Sequence, residues 1–280
     1  MRLLHSFSLA FAIALCGVVS FGQKDNKPVK LTADELLSRH AASVGTTENW
    51  MGSNSRVMVG VGTLTSKVKK LVKMGGVSQI AASSDNFLLA MKLNSNDYPF
   101  EKFAFDGKDV TYGHFDTGGS LLSGFVTRFS SLLRHGVLGG VYRPNWIGMA
   151  PDKDIRLEYG GMTGGDAPLY KLKLSGRDFN DLSITMFFDA STFRHVKTEY
   201  RYESSREVMS YNPTFGYGGG GSQTGTYVES FSNFKRAGSL ILPVTYTLEY
   251  QGPDSTVDWN ITFSDVYFDQ LLEKSAFRVS

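Results

Sequence analysis

The sequence predicts a mainly β fold with two or more helices, of the α+β class. Two observations carry that expectation. From about Leu169 to Phe268, apolar and polar residues alternate through one short segment after another, which is the period of strands with one buried face. Two amphipathic stretches, around Leu36 and around Phe125, recur instead at three- and four-residue spacing and supply helices to cover that face. No repeat of fixed period is visible in the chain.

The first residues read as a targeting segment. Met1-Arg2 is a minimal basic start, and Phe7 to Phe21 is an almost uncharged apolar run of about 15 residues. Ser20-Phe21-Gly22 then places small residues where a signal peptidase needs them, so residues 1–22 are expected to be a cleaved signal peptide. The run falls short of the roughly 20 apolar residues of a spanning helix. Cys16 is the single cysteine, and Leu15 before it is not the small residue of a lipidation signal, so we read Cys16 as a passenger. The mature chain then has neither disulfide nor thiol chemistry and must be held by its core. Residues 23–30 read as a polar leader and 31–280 as one domain.

Thr32 and Glu35 form a capping-box pair at a helix start. Leu36, Leu37, His40, Ala41 and Val44 share a face, and Gly45 is placed to stop the helix. Ser55 to Thr63 is expected as a strand, in which Val57, Val59 and Val61 alternate with Met58, Gly60 and Gly62. Further strands are expected through 66–73, 77–83, 86–93, 99–105 and 109–115, with Asp106-Gly107 as a hairpin turn. Phe87 to Leu93 is apolar on both faces and is expected to be covered on both. Leu122, Phe125, Val126, Phe129, Leu132 and Leu133 predict a second helix ending at Gly136, and Val137 to Asp154 reads as loop with a short helical turn. In the back half, Ile184, Met186 and Phe188 share a face, as do Thr198, Tyr200 and Tyr202, and Val257, Trp259, Ile261 and Phe263.

Composition excludes several functions. Lys and Arg number 29 against 27 Asp and Glu, a balance that does not point to nucleic acid. The lysine-rich run Lys67 to Lys73 reads as a strand with a solvated face. Histidines 40, 114, 135 and 195 are scattered without ligand spacing, so no metal and no cofactor are expected. The glycine-rich stretch Gly216 to Gly225 lacks a phosphate-loop lysine and leads into a strand, and no G-x-S-x-G elbow exists. An enzyme is therefore not expected. What remains is apolar surface, including 20 phenylalanines and 13 tyrosines.

The order of elements resembles the LolA/LolB-like superfamily of periplasmic lipoprotein and lipid carriers, and especially the outer-membrane lipoprotein-sorting proteins. The resemblance rests on the helix Leu31 to Gly45, the strand Ser55 to Gly62 and the segment Phe193-Arg-His-Val-Lys-Thr-Glu-Tyr-Arg-Tyr202. It continues through Gly238-Ser-Leu-Ile-Leu-Pro243 and the ending Trp259 to Phe268 with Ser275-Ala-Phe277. It implies an antiparallel, incompletely closed β-barrel capped by helices, holding acyl chains inside. The Leu122–Asp154 region and the glycine-rich loop are additions to the usual carrier.

The expected function is thus a periplasmic carrier or binding protein for a hydrophobic ligand, a lipid or a lipoprotein acyl chain. The alternative is an envelope scaffold with a filled core and protein partners; nucleic acid and an integral membrane position are not expected. The expected liners are Val57, Val59, Phe87, Leu89, Met91, Ile184, Met186 and Phe188, with Phe125 and Phe129 on a lid helix.

Overall fold

A computed structural model describes residues 31–279 other than 68–70, 114–119, 147–152, 205–210, 213–215, 218–222 and 254. The expectations for residues 1–30, for His114 and for residues 218–222 of the glycine-rich loop lie outside the described residues.

Helix α1 (Ala33–Val44) begins at the expected capping box, in which Thr32 and Glu35 each satisfy the other's backbone N–H. It buries Leu36, Leu37, His40 and Val44 and stops at Gly45, whose φ of 139° suits glycine. A short α2 (Thr47–Met51) buries Trp50.

Twelve strands then form one antiparallel sheet. They are β1 (Ser55–Lys67), β2 (Leu71–Ser83), β3 (Phe87–Leu93), β4 (Phe100–Phe105), β5 (Val110–Tyr112), β6 (Ile155–Met162), β7 (Leu169–Gly176), β8 (Leu182–Asp189), β9 (His195–Ser204), β12 (Gln223–Ala237), β13 (Leu240–Gln251) and β14 (Thr256–Phe268). A separate ribbon pairs β10 (Tyr211–Asn212) with β11 (Gly216–Tyr217). The order in the large sheet is β5-β4-β3-β2-β1-β14-β13-β12-β9-β8-β7-β6. Neighbours follow one another among the strands of this sheet except β1 and β14, whose pairing joins the front and back halves. β5 and β6 are the two ends and do not pair with each other, so the sheet is an open half-barrel.

One face of the sheet carries the core. Ile184, Met186 and Phe188, Tyr200, and Val257, Trp259, Ile261 and Phe263 are all buried on it, as the alternation predicts. Two expectations fail. The lysine-rich run is not one strand: Lys67 ends β1 and Leu71–Lys73 begin β2, which pair with each other, while residues 68–70 lie outside the described residues. The second helix breaks in two, α3 (Leu121–Arg128) and α4 (Ser131–Arg134), because Phe129 leaves helical geometry at φ −111°, ψ 45°.

The front of the sheet needs glycine. A Cβ on Gly76 would collide with the carbonyl of Lys92, and one on Gly62 with Ser78 and Met91. Small residues there let β1, β2 and β3 approach closely where a larger residue would push them apart.

Candidate functional site

The open inner face is covered by residues 120–146, which run across it without pairing to any strand. Ser120 caps α3 and also donates to Glu101 of β4 at 2.7 Å. Phe125 stacks on Tyr227 with ring centroids 4.0 Å apart, and Phe129 lies 5.7 Å from Tyr202. Beyond α4, Val137, Leu138, Val141, Tyr142 and Trp146 are also buried. The loop with its short helical turn is therefore as deeply buried as α3 and α4: turns at Gly136 and Gly139, both at positive φ, fold it inward.

Polar groups peg this cover to the sheet. The Glu229 carboxylate of β12 accepts the Gly139 N–H and the Tyr200 hydroxyl, each at 2.7 Å. Burial pushes its pKa up to about 7. Glu101 accepts from Tyr98, Ser120 and Trp259, and burial raises it as well. Ser131 and His135 of the cover bond Asp178 between β7 and β8.

Two arginines lie fully inside. Arg56 of β1 donates to the carbonyls of Trp50 and Arg143 and to the Ser53 hydroxyl, with its guanidinium 4.3 Å from the Trp50 ring centre. Arg143 donates to the carbonyls of Leu133 and Ser84. Burial lowers both, to about 9 and about 10, and both stay charged at neutral pH. Trp50 Nε1 completes the knot by donating to the Arg143 carbonyl at 2.8 Å.

Of the expected liners, Phe87, Leu89, Met91, Phe125, Phe129, Ile184, Met186 and Phe188 come together in this one core. Val57 and Val59 do not. They point to the opposite face, where Val57 packs with Ala81 and Phe277, and Val59, Leu88 and Leu272 lie against that cluster. Met58 and Leu64 face the core instead. The alternation of β1 was legible, but valines on one side and Met, Gly and Leu on the other left its polarity open. Leu88, covered by the C-terminal turn Lys274–Phe277, accounts for the two-sided apolar pattern of β3.

Sequence reasoning missed Arg56, Arg143, Glu101, Glu229 and Trp146. The signal available was a charged residue on the apolar parity of a strand: Glu229 between Tyr227 and Phe231, and Glu101 two before Phe103.

A depression of about 670 Å³ opens beside the cover, lined by Asp181, Leu182, Arg201, Tyr202 and Gly225 among others. Tyr202 is half-buried and continues inward to Phe125 and Phe129. Arg128 sits over both Tyr202 and Phe129 and pairs with Asp181 at 4.0 Å. Arg201 and Asp181 line the depression with opposite charges, and Tyr202 joins it to the aromatic rings of the core. Among the described residues no three His, Cys, Asp or Glu side chains converge as a metal site, and no helix is long and apolar enough to cross a membrane.

The sequence matches no family model and no curated protein. The structure superposes on a LolA superfamily protein from Nitrosomonas europaea with a TM-score of 0.50 and 15% identity, covering 89% of this chain and 98% of that one. The chain has the LolA-like fold. An outer-membrane lipoprotein-sorting protein domain from Vibrio parahaemolyticus follows at TM-score 0.42, 10% identity and coverage of 88% and 97%. A DUF1329 family protein from Desulfovibrio piger aligns at 0.40, 8%, 88% and 97%. In this LolA-like chain the half-barrel holds its own residues 120–146 against the inner face.

Proposed function

We propose that the protein is a periplasmic, non-enzymatic carrier or binding protein for an apolar chain, a lipid or the acyl chain of a lipoprotein. The signal-peptide pattern of residues 1–22 supports export. The ligand would lie on the inner face of the half-barrel, with residues 120–146 as a lid that swings away. The observation that carries this reading is the manner of closure. The lid lies on a wide apolar face through ring contacts such as Phe125 on Tyr227, and a handful of polar pegs hold it, with no strand pairing. An apolar chain can replace those ring contacts in kind. Burial is worth about 0.8 kcal/mol per methylene, so a ten-carbon chain offsets about 8 kcal/mol of lid displacement.

Native mass spectrometry of the purified protein tests this directly: bound lipid is expected, and Phe125→Asp is expected to abolish uptake. A lipid-free protein that takes up no fluorescent fatty acid would sink the reading. The continuous packing of lid on sheet favours a second reading, an envelope scaffold with a filled core. It predicts that the lid never leaves the sheet short of global unfolding.

A further inference from the structure

We propose that the Trp146 end of the lid is an acid-sensitive latch, in which neutral His40 and His195 clamp the Trp146 indole and protonation of the imidazoles releases it. This rests on the lid reading above and says what opens that lid.

The geometry is a sandwich. His40 from α1 meets Trp146 edge-on with ring centroids 4.7 Å apart, and His195 from β9 stacks on it at 5.2 Å and 16°. Phe188 contacts both imidazoles, each at 5.2 Å, and Phe231 contacts His195 at 4.9 Å. All three rings of the sandwich are buried, His40 at 2% and His195 at 1% exposure.

The hydrogen bonds decide which imidazole nitrogens carry protons. His40 Nδ1 lies 2.8 Å from the Phe193 carbonyl, which can only accept, so the proton is on Nδ1. His195 Nε2 lies 3.0 Å from the Lys197 carbonyl, which can only accept, and 2.8 Å from the Thr198 hydroxyl, which can accept as well, so we place its proton on Nε2. The other nitrogens, His40 Nε2 and His195 Nδ1, are buried lone pairs with no hydrogen-bond partner. Adding a proton to either makes an N–H without an acceptor and a charge without a counter-ion.

The surrounding charges do not rescue it. On α1, Arg39 lies over Phe193; just before β9, Arg194 lies over Phe234, and on β9 Lys197 pairs with Glu199. On β8, Asp189 is held by Ser191 and Thr192 in its own turn. Glu229 and Tyr246 on β12 and β13, Tyr200 on β9, and Tyr142 on the lid form a separate network around the Gly139 peg. Arg143 on the lid and Arg56 on β1 add positive charge.

Burial lowers His40 to about 4 and His195, which also faces His40, to about 3, against an ordinary 6.5. Closure is therefore fully supported above about 6.5 and is lost as pH falls toward 4 and 3. Glu229, raised to about 7, works the other way and favours closure as pH falls. From pH 7 to pH 5 each histidine weakens closure by about twentyfold; Glu229 strengthens it by about fortyfold, and Glu101, the raised carboxyl that holds Ser120 of the lid, adds to that opposition.

Hydrogen exchange of the mature chain tests this, read as protection of the lid amides and of the β13–β14 amides at pH 7, 6 and 5. In E101Q/E229Q, where the opposing carboxyls no longer titrate, lid protection is expected to fall by more than a hundredfold while the sheet holds. His40→Asn and His195→Gln keep the bonded N–H of each ring without its titration, so in that background both together should abolish the slope, and each alone should leave a fall of about twentyfold. Lid protection in E101Q/E229Q that does not fall with acid, or a slope that survives both histidine substitutions, overturns the latch and leaves the lid. Lid amides that exchange only together with the sheet overturn both. Circular dichroism confirms that each variant is folded, and if the one with both histidines replaced is not, the slopes with one replaced decide.

Discussion

Arg56 Nη1 donates to the main-chain carbonyl of Arg143 at 3.2 Å, so a buried cation on the first strand holds the far end of the lid. The same guanidinium bonds the Trp50 carbonyl and the Ser53 hydroxyl, with no carboxylate bonded to it. Its partners are two backbone carbonyls and a hydroxyl, and a methionine of similar length cannot satisfy them. Arg56→Met should lower stability by about 2 kcal/mol in urea melts, through the orphaned Trp50 carbonyl. Relief of the desolvation cost works against that loss, and a variant at least as stable as wild type would show that relief dominates.

Glu229 titrates near 7 in the fold against an ordinary 4.5. Its stabilising contribution is complete below about 4.5 and is lost as pH rises through 7. Glu229→Gln stays neutral and should be more stable than wild type at pH 8, by about 3 kcal/mol, with the difference vanishing near pH 4. Urea melts at the two pH values measure this, and a destabilised variant at pH 8 would contradict it.

Gly75 and Gly76 are adjacent but should respond oppositely to alanine. A Cβ on Gly76 runs into the Lys92 carbonyl, whereas one on Gly75 meets nothing closer than 3.9 Å. Gly76→Ala should cost about 1–3 kcal/mol, since backbone must move. Gly75→Ala should be neutral or stabilise by about 0.5 kcal/mol through the unfolded chain. Thermal melts of the two variants separate these outcomes.

Phe277 is fully buried against Val57 and Ala81 on the face away from the lid. Phe277→Ala should cost about 3 kcal/mol of stability, yet leave the affinity for a fluorescent fatty acid unchanged in the folded protein. A matching loss of binding would place the ligand on that outer face instead.

Much of this architecture is legible along the chain because period-two alternation is a local property. Val257, Trp259, Ile261 and Phe263 could be read as one buried face, and the Thr32–Glu35 box as a helix start, from neighbours alone. Eight of the ten expected liners share the core for the same reason. Val57 and Val59 went wrong because a strand's parity shows that its two faces differ, while the elements on either side decide which is inward. Residues 137–146 are the expected loop with a short helical turn at Gly140–Tyr142, but their burial is not legible in the sequence, because the Gly136 and Gly139 turns look like surface punctuation and only packing shows that they fold Tyr142 and Trp146 inward.

The sequence by itself determined the strands, the first helix and the presence of a wide apolar face. Only the tertiary structure decided that β1 pairs with β14, that the sheet stays open between β5 and β6, and that residues 120–146 fill the opening. The physical reason is range. Alternation and capping act over a few residues, whereas Arg56 with Arg143, Gly139 with Glu229, and Trp146 between His40 and His195 are partners far apart in the chain. Each is a charged, polar or aromatic group whose burial becomes favourable only once the chain has brought its partner to it.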